Sequence, residues 1–374
     1  MFGNRTRNRV KKTHEVVASV LNPINFKASK KEAKAEAFSD FVFNAPKVNF
    51  DKAINVIIKD KDIFETLNQS KCETNKILSK QIFSTRNISK ERFLTLFNAI
   101  FHRESDKLKY YLEKKEIIEE LFLKGMYTQV ENILDEIVRI TGNSLWEVNF
   151  RVAVLTARKD YKQIDEHLEQ AKINNASELF LEIHRVTAWK SHSVDPNLVI
   201  ETMVRRPNKE YIEGGALDLA AFHCITSLQC SIYDDVDLQL SLGWLQTLPL
   251  IDLYESLKKI TVHGICKKNL DPIESLGLLE IFTTVRNSYK CESLDLIIKS
   301  LKQGVPLEKK SITDNDIEDY TKGNYNEILS RFEADFISCK HLVTKVNIIA
   351  KAYVYTNIKP TSLPALLAIV IDNL

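Results

Sequence analysis

From "NFDKAINVIIKDKDIFETL" (residues 49–67) to "SKERFLTLFNAIFHRESDKLKYYLEKKEIIEELFLK" (residues 89–124), apolar residues recur at steps of three and four. Phe93, Leu94, Leu96, Phe97, Ile100 and Phe101 form one wide stripe, the pattern of a helix buried along one side. No alternation of apolar and polar residues competes with it, so the chain reads as all-α.

A longer period runs above the helical one. The stretch "LFLKGMYTQVENILDEI" (121–137) has a Gly, a Tyr and then Val130, Ile133, Leu134 and Ile137, and a loose copy stands at "YTKGNYNEILSRF" (320–332). Tyr127 is followed 34 residues later by Tyr161. The same step links Ile118, Val152 and Val186; Leu121, Leu155 and Trp189; and Val130, Ile164 and Leu198. A fourth column, Leu134 and Leu168, ends at the polar Thr202. A period of 34 with two helices per unit is the mark of a helix-turn-helix array, in which each unit buries its apolar face on the next.

On these residues the chain resembles the tetratricopeptide repeat family. Gly125, Tyr127, Val130, Leu134 and Ile137 fit the later half of the repeat pattern, and Tyr161, Ile164, Leu168 and Ala171 fit it again. Gly323, Tyr325, Ile328 and Phe332 fit the turn and second helix of a C-terminal unit. Val346, Ile349, Ala350 and Tyr353 fit the first helix of the next, and "SLPALLAIVIDNL", with Pro364 in its first turn, would be its second. The resemblance implies a right-handed α-solenoid of helical hairpins. Val130 and Ile164 stand where the family has small residues, and Lys159 where it has Gly, which implies wider or irregular packing.

Gly125 and Gly323 lie 198 residues apart, not a whole number of 34-residue steps, so irregular hairpins are expected between them. Two Asp-Pro pairs read as helix starts there: "DPNLV", with Asp195 as cap and Pro196 in the first turn, and "LDPIE" at 270–274. The expected organisation is a basic arm, disordered or partly helical, over 1–35, and a helical region over 36–110. Tetratricopeptide-like repeats follow over 111–207, irregular helical hairpins over 208–308, and further tetratricopeptide-like repeats over 309–374.

Composition agrees with this reading. Ten Gly and nine Pro in 374 residues suit helices joined by short turns better than a sheet full of hairpins. Six cysteines without a CxxC pair, no signal-peptide core and no apolar run long enough to span a bilayer point to a reducing compartment, the cytoplasm. The net charge of +2 is uneven. Residues 1–36 carry nine basic residues against three acidic ones, leaving the remaining 338 residues at −4. Any attraction for nucleic acid therefore falls to the N-terminal arm, through Arg5, Arg7, Arg9, Lys11 and Lys12. The same arm also reads as a frayed tail before a solvated helix, or as an organelle presequence.

Candidate chemistry is sparse. "FHCITSLQC" sets His223 and Cys230 on one helix face, with Cys224 about 100° away, so core packing is favoured over zinc. "EGGALDL" (213–219) reads as a turn, and the acids of "YDDVD" (233–237) as helix-start residues rather than a cation loop. Nucleophile-elbow, phosphate-loop and dinucleotide motifs are missing. The expectation is a non-catalytic protein without cofactor or metal. "ESDKLKYYLEKKEIIEE" (104–120) reads as a solvated face with i,i+4 charge pairs.

What the repeat resemblance offers is a groove. The first helix of each unit would line a concave face carrying Lys115, Glu119, Trp146, Asn149, Thr156, His184, Thr187 and Lys190. Trp146 is either an anchor for a partner or a packing residue under a turn. In repeats that clamp a C-terminal carboxylate, Lys115 fits the pattern, but Glu119 stands where Asn is wanted and would repel the ligand. The expected function is a scaffold or adaptor that binds a protein or peptide along this face. The alternative is a nucleic-acid binder using the arm, since the step is also near that of pentatricopeptide RNA binders and "NIKPTS" (357–362) is similar to their inter-repeat turns.

Overall fold

A computed structural model describes residues 13–22, 30–67, 88–123, 125–176, 180–181, 184, 245–246, 248–267 and 270–304. All elements there are α-helices. They are α1 (residues 13–21), α2 (Lys30–Asn44), α3 (Lys47–Ile57), α4 (Lys61–Thr66), α5 (Lys90–Arg103) and α6 (Ser105–Leu123). Next come α7 (Tyr127–Thr141), α8 (Leu145–Ala157), α9 (Tyr161–Ile173), α10 (Leu250–Lys267), α11 (Pro272–Ser288) and α12 (Glu292–Gln303). No described helix is long and apolar enough to cross a membrane. The C-terminal repeat positions, 309–374, lie outside the described residues.

The stripe on α5 is buried throughout: Phe93, Leu94, Leu96, Phe97, Ile100 and Phe101 join Ala99 in the core. At roughly 1.5–3 kcal/mol per large apolar side chain, these residues supply much of the local stabilisation. Two arginines three turns apart on the same helix fasten the N-terminal helices to it. Arg92 donates to the carbonyls of Val42, Phe43 and Ala45 at the end of α2, with its guanidinium over Phe50 of α3. Arg103 donates to the carbonyls of Ile58 and Asp60 and lies 3.7 Å from the Phe64 ring centre. Arg92 and Arg103 thus supply donors to carbonyls at the ends of α2 and α3, and the Asp60 carbonyl also accepts from Phe64 N–H at 3.0 Å, as the start of α4. Lys34 of α2 pairs with Asp60 and Asp62, each at 2.7 Å, closing α2 onto α4.

The two hairpins α6–α7 and α8–α9 turn alike. Gly125 has φ +72°, its N–H donates to Phe122 O at 3.0 Å, and Met126 N–H donates to Leu121 O at 2.9 Å. Lys159 has φ +59°, its N–H donates to Thr156 O at 2.9 Å, and Asp160 N–H donates to Leu155 O at 2.8 Å. Each is a helix stop with one left-handed residue, and the two stand 34 positions apart, as do the helix starts Tyr127 and Tyr161. In the described columns Ile118, Val152, Val130, Ile164, Leu134 and Leu155 are buried, whereas Leu121 and Leu168 are half-buried. Val186, Trp189, Leu198 and Thr202, like Asp195 and Pro196, lie outside the described residues. Because a Cβ strains this left-handed conformation, Lys159→Gly is expected to raise stability by about 1 kcal/mol and Gly125→Ala to lower it by about as much. Thermal melts of the two variants check this opposite pair of signs.

Helices α6 to α9 pack each on the next, and ion pairs reinforce the stack. Arg151 meets Asp135 and Arg158 meets Glu131, both at 2.8 Å, while Tyr110 donates to Glu136 at 2.9 Å. A one-dimensional array would confine every unit to its neighbours. Here the later helices return instead. α11 packs most extensively on α5 and also touches α6 and α12, and α10 packs on α6, α8 and α12. The reason is α10 itself. Residues 250–257 are all buried, more than two full turns, so this helix has to be covered on every side. Asp271 caps α11 as its sequence suggests, in a reciprocal capping box with Glu274 and with Pro272 in the first turn. Lys90 of α5 reaches the same cap, 2.7 Å from Glu274 and 3.3 Å from Asp271.

Candidate functional site

The face expected to form the groove begins with Lys115 on α6. Lys115 is 7% exposed, and its ammonium stands 3.3 Å from both carboxylate oxygens of Glu255 on α10. Tyr111, one turn earlier on α6, donates its hydroxyl to the same carboxylate at 2.7 Å. Glu119, one turn later, is half-buried and 3.9 Å from Lys115. The i,i+4 spacing of Tyr111, Lys115 and Glu119 is what places all three on one face of α6. The expectation of an open groove at Lys115 is corrected by this geometry, because α10 lies over that face. The charge run 104–120, read as solvated, has one buried side for the same reason.

Trp146 sits on α8 beside this cluster. Its ring meets Tyr111 edge-on at 4.8 Å and tilts against Phe150 at 5.4 Å, so the indole packs between α6 and α8. Its backbone N–H donates to Asp252 Oδ1 at 2.8 Å, and that of Leu145 donates to Asp252 Oδ2 at 2.6 Å. Ser144 Oγ takes the next amide, that of Glu147, at 3.1 Å. The first three orphan amides of α8 are thus satisfied, two of them by a residue about a hundred positions away in the chain. Asn149 and Thr156 are half-buried further along α8, and the Thr156 hydroxyl oxygen is buried with no hydrogen-bond partner. His184 is buried. Thr187 and Lys190, the arm residues Arg5, Arg7, Arg9, Lys11 and Lys12, and the 213–237 candidates including His223, Cys224 and Cys230 lie outside the described residues.

Around α10, three buried carboxylates approach two cations. Glu147 pairs with Arg151 at 2.6 Å, Glu255 pairs with Lys115, and Asp252 is held by backbone amides. Burial pushes the Asp252 carboxyl up to about 7 against the pull of its two amide donors, and the charges of Glu255 and Glu147 add to the rise. Burial likewise raises Glu147, with Arg151 opposing. Chemically this is a network that neutralises charge inside a helical junction. Among the described residues no group of three or more His, Cys, Asp and Glu side chains could hold a metal ion.

Tyr111, Asp252 and Glu255 escape a reading of the repeats alone. The signal for the two acids lies in "LIDLYESL" (250–257), where they stand among leucines, an isoleucine and a tyrosine that leave no polar face. An acid on such a helix has to find a buried partner. No protein-family model, curated protein or solved structure matches this chain.

Proposed function

We propose that the chain is a non-catalytic scaffold or adaptor of the cytoplasm, a tetratricopeptide-like right-handed solenoid over its repeat segments that binds a protein or peptide partner. One observation supports it above the others: two successive helical hairpins with the same left-handed turn at Gly125 and Lys159, spaced by the period that the sequence columns share. Since α10 covers Lys115 and the start of α8, the partner surface of this reading falls further along α8, around the half-buried Asn149 and Thr156. Exposed apolar residues on α9, Tyr161 and Ile173, border that end of the described array. They offer an extended partner apolar area beside polar contacts.

The test compares the full chain with an Asn149→Arg/Thr156→Arg variant of equal melting temperature, each immobilised and challenged with a tiled array of peptides and, separately, with single-stranded RNA. Peptide binding by the full chain that falls at least about tenfold in the variant supports the reading, since hot-spot losses of this size mark a direct contact. Peptide binding indifferent to both substitutions overturns the surface. RNA binding with steep salt dependence, lost when residues 1–12 are removed, overturns the reading in favour of nucleic acid.

A further inference from the structure

We draw no further inference here: the strongest candidate, the exposed apolar patch that Ile273 and Leu276 form on the outer face of α11, carries none because nothing in the structure shows what covers it.

Discussion

Lys115→Met destabilises the protein by about 3–5 kcal/mol, Glu255→Leu by somewhat less, and the two together by less than either. The inequality follows from what each substitution leaves behind. Without Lys115, the Glu255 carboxylate stays buried beside Asp252 and Glu147 and keeps the Tyr111 hydroxyl as a donor. Without Glu255, the Lys115 ammonium still has Glu119 at 3.9 Å, a weaker but opposite charge. The pair lies only 8% and 12% exposed at its side chains, so water cannot restore solvation to the survivor without opening the seam. When both charges are replaced by apolar groups of similar size, the desolvation penalty disappears with the attraction. The remaining deficit belongs to Tyr111, which loses a 2.7 Å acceptor, and Tyr111→Phe in the same background recovers part of it. Urea unfolding of the singles, the double and the triple gives the cycle. A double variant as unstable as the sum of its singles would show that Lys115 and Glu255 act separately.

The same pair marks where a reading of the sequence stops. Periodicity is local information: it identifies which face of a helix is buried, and on α5 it named the buried residues correctly, from Phe93 to Phe101. Turn chemistry is local too. The Gly125 and Lys159 positions share a helix stop because the chain between paired helices has the same length twice, and Asp271 caps α11 because Asp-Pro followed by Glu274 suffices for it. What covers a face is not local. Lys115 meets a carboxylate 140 positions away, and no spacing within α6 contains that distance. Placed on a helix with exposed Glu113 and Glu116, Lys115 reads as one more solvated charge. Arg92 and Arg103 were equally opaque, since their partners are backbone carbonyls, which leave no mark in a sequence. Local spacing therefore identifies helices and their turns, whereas the burial of 250–257 on every side follows from the helices that α10 meets.

Gly277→Ala, an exchange that ordinarily favours a helix by about 1 kcal/mol, should instead destabilise this protein by about 1–2 kcal/mol. Gly277 lies within α11 where that helix crosses α5, the most extensive helix contact among the described residues. A Cβ added there would come 2.7 Å from Leu94 Cδ1 and 2.9 Å from Leu94 Cβ. The first atom moves with a rotamer change. The second is fixed to the α5 backbone, so relief requires the helices to separate. Separation is resisted at both ends of the crossing, by Lys90 on the Asp271–Glu274 cap and by Thr284, which donates to Asn98 at 2.7 Å. The strain is thus concentrated on Leu94, 1% exposed and without space of its own. Leu94→Ala alone should cost about 2–5 kcal/mol through the cavity it opens. Adding Gly277→Ala to it should cost less than it does in the unaltered chain, because the Cδ1 and Cγ contacts have gone while the Cβ contact at 2.9 Å remains, giving a coupling of about 0.5–1 kcal/mol between the two sites. Additive losses, or a stabilised Gly277→Ala protein, would mean that α5 and α11 stand further apart than this packing requires.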